Sequence, residues 1–222
     1  MSDIDRTIEL ENIDNRNQDR SHTSISLGWE LVLGERIGSG ANGDVYIGKI
    51  IGDNTSEEVA VKYPNRDPNS IKSLREEVQI SSQLVHSYIA KTRLLDESDG
   101  NPKIIMDYID GHNLSTIGKK HNDLALRFPQ KLTALIGWLC SQGLDYAHNN
   151  TFKDLEDNSV KGAIHRDLSP NNLIIDNNEG TPFIIDFGTA VLSTDTPKII
   201  GKRSGTLGYA AYETLRGDQI DH

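Results

Sequence analysis

The sequence holds a single cysteine, Cys140, among 222 residues, so neither an intrachain disulfide nor a multi-cysteine metal centre can form. Positive charge is also short: 23 Lys and Arg stand against 33 Asp and Glu, a formal net charge of −10. That balance excludes a protein that coats nucleic acid, whereas a bound nucleotide needs only a few local cations. No apolar run approaches the ~20 residues of a membrane-spanning helix. The amino terminus, Met1-Ser2-Asp3-Ile4-Asp5, is acidic with no apolar stretch behind it, which does not fit a secretory signal. These absences lead to the expectation of a cytoplasmic, reducing location with no nucleic-acid partner and no membrane span. Cys140, within Leu135-Ile136-Gly137-Trp138-Leu139-Cys140, reads as a small buried helix residue.

What remains is a globular composition, 36% hydrophobic and 25% charged, enough to bury the core of one large domain or two small ones. Residues 1–27, rich in Asp, Asn, Arg, Ser and Thr, read as a mobile polar leader, with a folded domain over 28–222. Runs rich in β-branched residues follow at Glu30–Leu33, Val45–Ile50 and Val59–Lys62, a meander of antiparallel strands. A helix is expected after Asp67-Pro68-Asn69-Ser70, whose Asn and Ser can accept bonds from first-turn amides. Steps of 100° put Ile71, Leu74, Val78 and Val85 on one side, with Glu77 at the edge of that stripe, Ser81 on its inward side and Glu76 turned away. Further strands are predicted at Thr92–Leu95 and Lys103–Tyr108, the latter ending near a connector at Gly111. A long buried helix over about 129–149 carries Leu132, Leu135, Ile136, Leu139, Gly143, Tyr146 and Ala147 on one face. A strand-rich half followed by a helix-rich half suggests two lobes.

Three segments carry chemistry. Gly38-Ser39-Gly40-Ala41-Asn42-Gly43-Asp44-Val45 fits G-x-G-x-x-G-x-V between two strands. Alone it fits a plain hairpin turn equally well. A dinucleotide fingerprint opens a helix after its third glycine, whereas Val45-Tyr46-Ile47 is a strand, and strand-turn-strand glycines let the backbone close over phosphates. Lys62, at the end of Val59-Ala60-Val61-Lys62, lies under that loop where phosphate charge must be met, with Glu77 able to hold it. The third segment is Ile164-His165-Arg166-Asp167-Leu168-Ser169-Pro170-Asn171-Asn172, followed by a strand and by Ile184-Ile185-Asp186-Phe187-Gly188. Two acidic groups across one hairpin, with an Asn between, suit phosphoryl transfer to a hydroxyl. Asp167 accepts or orients the hydroxyl proton, Asn172 binds one metal, and Asp186 bridges Mg²⁺ between phosphate oxygens.

From Ile37 to Glu213 these motifs, in order, resemble those of eukaryotic-type Ser/Thr protein kinases. The resemblance implies an α+β, bilobal fold, with an antiparallel-sheet N-lobe carrying one helix over about 28–108 and a mostly helical, incomplete C-lobe over about 109–222. It implies ATP and Mg²⁺ as cofactors and a protein substrate whose Ser or Thr hydroxyl is phosphorylated. Ile37 joins the glycine loop among the nucleotide contacts, Met106 looks like the gatekeeper, and Asp107 to Ile109 look like a hinge whose backbone bonds adenine. Val45, Ala60 and Ile174 sandwich the base. The Ser/Thr assignment rests on Gly205-Thr206-Leu207-Gly208-Tyr209, similar to the Gly-Thr-x-x-Tyr of Ser/Thr kinases, with Thr206 bonding Asp167. Arg166 is a candidate receptor for a phosphate on Ser193, Thr194, Thr196 or Ser204.

The departures from that pattern are specific. Ser169 replaces the usual Lys, a loss of cation expected to weaken transition-state stabilisation by a few kcal/mol. Ala211-Tyr212-Glu213 stands for Ala-Pro-Glu, and the polar stretch Asn149–Lys161 reads as a surface insertion. The family's later helix and pairing arginine have no counterpart before His222, which raises the expectation of a partner chain over the C-lobe and an alternative reading, a non-catalytic ATP-binding or interaction module. Small-molecule phosphotransferases of kinase-like fold share the two acidic motifs but generally lack the Gly-Thr-x-x-Tyr segment.

Overall fold

The β-branched runs fold into strands that lengthen to meet one another. In the computed structural model, which describes residues 23–25, 29–40, 43–52, 54–65, 68–192, 206 and 208–210, six strands share one antiparallel sheet. They are β1 (Thr23–Ile25), β2 (Trp29–Gly40), β3 (Gly43–Ile51), β4 (Ser56–Tyr63), β5 (Thr92–Asp96) and β6 (Lys103–Asp107), in the order β1-β2-β3-β4-β6-β5. Leu31, Val59, Val61 and Ile105 are fully buried and, with Ile50, form the apolar core of this lobe. β1 falls within the stretch expected to be leader: Thr23 pairs with Leu31 and Ile25 with Trp29. The rest of that stretch lies outside the described residues.

Helix α1 (Pro68–Ser81) leans on the sheet. Its buried stripe is Leu74, Glu77, Ile80 and Ser81, continued by Leu84 just past its end. Glu77 is therefore central to the stripe instead of at its edge. Val85, expected on the same side, is 62% exposed, because the helix stops at Ser81 and the following turns break the 100° progression. Glu76 is exposed, as expected. Asp67 and the side chain of Asn69 lie outside the described residues.

Beyond β6 the chain builds a second layer from α2 (Leu114–Asp123) and α3 (Gln130–Asn149). Asn113 caps α2, its side chain accepting from the Thr116 amide at 2.8 Å. Gly111 is not a connector. It opens β7 (Gly111–Asn113), which joins β11 (Leu173–Asp176) and β12 (Pro182–Ile184) in a three-stranded antiparallel sheet. A Cβ at Gly111 would stand 2.2 Å from the Ile175 carbonyl oxygen, so only glycine allows this approach.

The line that α3 buries is Ile136, Cys140, Gly143 and Ala147. Leu132 and Leu135, expected on the buried face, are exposed at 41% and 48%. The stretch read as a surface insertion folds into a hairpin, β8 (Thr151–Lys153) and β9 (Ser159–Lys161), with Phe152 only 2% exposed. The second core gathers Phe152 with Ile80, Leu84, Ile89, Ile136, Cys140, Leu173, Ile184 and Phe187. β10 (Ala163–Ile164) and β13 (Val191–Leu192) pair antiparallel across the loop between them. This is the two-lobed α+β architecture expected from the sequence. No helix among the described residues is long and apolar enough to cross a membrane.

Because Phe152 fills this core, Phe152→Ala is expected to lower unfolding free energy by about 3–5 kcal/mol in chemical denaturation. Leu155→Ala, at a site 64% exposed on the same hairpin, is expected to change it by less than about 0.5 kcal/mol.

Candidate active site

β4 lies inside the sheet between β3 and β6 and buries four successive residues, Val59, Ala60, Val61 and Lys62, on both of its faces, which delivers a lysine into an apolar interior. Its ammonium is met from two directions. Lys62 Nζ donates to Glu77 Oε1 at 2.7 Å and Oε2 at 2.9 Å, and to Asp186 Oδ1 at 2.8 Å. Burial works against the Lys62 charge, but the two carboxylates outweigh it and hold its pKa above the ordinary lysine value. Burial lifts Glu77 above the ordinary glutamate value, with Lys62 pulling the other way. Burial also opposes the charge of Asp186, and Lys62 overrides it, so this carboxyl stays below the ordinary aspartate value.

Asp186 sits at φ 61°, a left-handed conformation that turns its carboxylate back toward Lys62. The Gly188 amide donates to the same Oδ1 at 3.1 Å. A Cβ on Gly188 would stand 2.8 Å from Asp186 Oδ1, 2.9 Å from Glu77 Oε2 and 3.1 Å from Lys62 Nζ. The bare glycine is what lets three charges meet there.

The second acidic group lies on the loop between β10 and β11. Asp167 Oδ1 accepts from the Thr206 amide at 2.6 Å and from Thr206 Oγ1 at 2.8 Å. Asn172, closing a 3₁₀ turn over Pro170–Asn172, donates through Nδ2 to the Asp167 carbonyl oxygen at 2.8 Å and to Oδ2 at 3.2 Å. The Ile185 amide donates to the Asn172 carbonyl at 3.0 Å, which ties the Asp167 loop to the segment carrying Asp186. Over the opposite side, β2 and β3 meet at the glycine loop, with Gly38 paired to Val45 and Gly40 to Gly43. Gly43 has φ +123°, and a Cβ there would stand 1.9 Å from the Tyr63 carbonyl oxygen. In the same sheet Val45 lies opposite Lys62, and Ala60 opposite Met106.

Residues 31–222 match the family described as protein kinase domain. The chain belongs to the protein kinase family. Among similar curated proteins are a tyrosine-protein kinase, MasK, of Myxococcus xanthus, 27% identical over 203 residues, and the serine/threonine-protein kinase PknB of Mycolicibacterium smegmatis, 28% identical over 200. CBL-interacting serine/threonine-protein kinase 5 of Arabidopsis thaliana is 29% identical over 200 residues. These alignments cover 86%, 85% and 85% of this chain but 30%, 29% and 40% of the respective relatives, so the chain spans well under half of each.

Within the kinase domain, the structure joins Lys62, Glu77 and Asp186 in one ion cluster, and Asp167, Asn172 and Thr206 in one hydrogen-bonded group. Ile37 is 47% exposed on β2, whereas Met106, Asp107, Ile109 and Ile174 are half-buried. Ala41, Asn42, Ser193, Thr194, Thr196, Ser204, Gly205, Leu207 and the segment Ala211-Tyr212-Glu213 lie outside the described residues. Ser169 is 2% exposed, and its hydroxyl has no hydrogen-bond partner among the described residues.

Sequence reasoning missed two supports, His165 and Arg93. His165, 2% exposed, accepts the Asp167 amide on Nδ1 at 3.3 Å and places Nε2 3.2 Å from the Ile185 carbonyl, with its ring centroid 4.5 Å from that of Phe187. Burial pulls its pKa below the ordinary histidine value, so it is neutral, protonated on Nε2. Arg93 grips Asp107 Oδ1 at 2.7 Å and both Glu57 oxygens at 2.6 Å. Its place within β5, next to Thr92, which pairs with Met106 of β6, was the available signal. Arg166, at φ 64°, donates from Nε to the Thr189 carbonyl, and its NH1 lies buried without a hydrogen-bond partner among the described residues.

The donor set fits a hard divalent cation: the Asp186 carboxylate and the Asn172 amide oxygen are both hard oxygen ligands, few enough to leave positions for phosphate and water, as Mg²⁺ prefers. Asp186 holds its proton more weakly in the folded than in the unfolded chain. Its stabilisation is thus present above the ordinary aspartate pKa and fades as pH falls through the lowered value. Asp186→Asn is expected to flatten the loss of thermal stability that the parent shows as pH falls below about 4. Gly188→Ala is expected to separate Lys62 from its carboxylates, read as a fall in nucleotide affinity by isothermal titration.

Proposed function

We propose that this domain transfers the γ-phosphoryl group of ATP to a Ser or Thr hydroxyl of a protein substrate. The observation that carries the reading is the convergence of the Lys62–Glu77–Asp186 cluster with the Asn172- and Thr206-held Asp167, through the Ile185–Asn172 backbone bond and the His165 ring. Asp186 and Asn172 would hold Mg²⁺, which would supply neutralisation of phosphate charge. Lys62, fixed by Glu77, presents its ammonium to the α- and β-phosphates. The glycine loop from Gly38 to Gly43 offers backbone amides to the phosphates, and Ile37, Val45, Ala60, Met106 and Ile174 enclose the base beside the Asp107–Ile109 backbone.

Asp167 orients the acceptor hydroxyl and takes its proton as the oxygen bonds to phosphorus and ADP departs. Thr206 leaves Oδ2 of Asp167 as the more open oxygen, since it occupies Oδ1 twice, through amide and hydroxyl. The same threonine favours Ser/Thr over Tyr acceptors, by its place in the Gly205–Tyr209 segment. The tyrosine-protein kinase among the relatives makes acceptor identity a direct test.

Lys62→Met, Asp167→Asn and Asp186→Ala are each expected to lower transfer to a basic protein substrate by at least about 10²-fold in a radiolabelled-ATP assay. Phosphoamino-acid analysis is expected to find phosphoserine and phosphothreonine. Activity equal to the parent in these variants overturns the reading. Mg-ATP binding without transfer by the parent chain supports the non-catalytic module instead, and phosphotyrosine as the main product overturns the acceptor assignment.

A further inference from the structure

The β8–β9 hairpin touches α1 through two side chains that the nucleotide site leaves unused. Gln83, two residues past the end of α1, reads the backbone of Lys153 in both directions. Its Oε1 accepts the Lys153 amide at 2.8 Å, and its Nε2 donates to the Lys153 carbonyl at 3.0 Å. Gln79, on the last turn of α1, donates to the Lys153 carbonyl at 3.1 Å and the Asp154 carbonyl at 3.2 Å. Gln83 also donates to the Gln79 carbonyl, which links the pair. The amides thus treat the outer edge of β8 as a strand edge treats its neighbour.

The hairpin is well placed to pass on this grip. Its turn is fixed from within, the Asp154 carboxylate accepting the amides of Glu156 and Asn158, both at 2.9 Å. Its root is anchored by Phe152, in one apolar cluster with Ile80 and Leu84. It leaves the end of α3 and returns to β10, one step before His165 and Asp167. Gln79 stands two residues from Glu77, so about 200° separates their directions on the helix. Glu77 faces Lys62 while the glutamines face the other lobe.

We propose that the β8–β9 hairpin is a built-in clamp on α1, and that Gln79 and Gln83 are positioning residues that keep Glu77 on Lys62. The clamp holds the end of α1 from the segment that leads into the Asp167 loop, so the two acidic groups keep a fixed spacing without an outside protein pressing on α1. The kinetic part of this inference rests on the phosphotransfer reading; the structural part does not.

Two measurements on the full chain test it. In the nucleotide-free protein, Gln79→Ala/Gln83→Ala is expected to speed amide hydrogen exchange across residues 72–81 by roughly tenfold. Gln83→Glu, nearly isosteric but facing a carbonyl with an acceptor, is expected to do the same, and it serves where the double variant unfolds. Unchanged exchange in a folded variant overturns the clamp. In phosphotransfer, Gln83→Glu is expected to lower kcat/KM by roughly fivefold or more in the parent, yet by less than about twofold in a Glu77→Gln background, because the glutamine acts through Glu77. An equal fall in both backgrounds overturns the positioning role. Absence of transfer by the parent sinks the functional reading alone, and the exchange result then decides the clamp.

Discussion

One buried ammonium between two carboxylates sets the geometry of the site. Lys62 lies 15 residues from Glu77 and 124 from Asp186 along the chain, and it bonds both within 2.9 Å. No local preference brings such segments together. The strand, the helix and the loop after β12 must each be in place before the charges can meet. Removing Lys62 leaves the Glu77 and Asp186 carboxylates side by side and uncompensated, which costs far more than an exposed pair is worth. The cluster also carries one more negative than positive charge, with Asp186 the partly exposed member at 31%. A cation arriving at Asp186 relieves that excess, which is why a site that appears internally satisfied still suits a metal and a polyphosphate together.

The two acidic loops are held in conformations that L residues seldom adopt. Arg166 at φ 64° and Asp186 at φ 61° each cost on the order of 1 kcal/mol or more, so the surroundings must over-determine them. His165 does much of this from the interior. Neutral and nearly inaccessible, it accepts from the Asp167 amide and faces the carbonyl just before Asp186, so a single ring spans both loops. The Thr189 hydroxyl, donating to the His165 carbonyl at 2.9 Å, closes the circuit from the other side. A charged imidazolium has no acceptor on Nδ1 here, and burial keeps it from forming.

The residues that meet in the candidate site were legible because the expected chemistry constrains residue type. An Asp, an Asn and a second Asp around one hairpin, and a Lys ending a strand under a glycine loop, have few other uses in that order. The two-lobed α+β fold followed from the change of period. Distances in space were less legible. Helix periodicity ran straight through Ser81 to Val85, because nothing in the sequence marks the turn that ends α1 there. Gly111 looked like a loop residue because the reason for it, the Ile175 carbonyl oxygen at 2.2 Å from any Cβ, lies 64 positions away in sequence (175 − 111). The polar stretch 149–161 hid one apolar anchor, Phe152, whose value depends on Ile80 and Leu84 being opposite. On α3 the same face that buries Ile136 and Cys140 also carries Leu132 and Leu135, and only the placement of neighbouring elements separates covered from exposed.

The helix that carries Glu77 belongs to both lobes, and this is the structural reason the site can form at all. Toward the sheet, α1 offers Glu77 to β4 and Arg75 to Glu97, the latter at 2.7 Å. Toward the other lobe, Ile80 and Leu84 enter the core that also contains Ile184, two residues before Asp186, and Phe187, directly after it. Ile184 is in turn bonded to the chain that follows α1, its amide to the Tyr88 carbonyl at 2.8 Å and its carbonyl to the Ala90 amide at 2.9 Å. Glu77 and Asp186 are therefore positioned through one shared body of packed side chains. A shift of α1 along its axis moves both carboxylates relative to Lys62, so the integrity of the ion cluster reports on the packing between lobes, and not on its three residues alone.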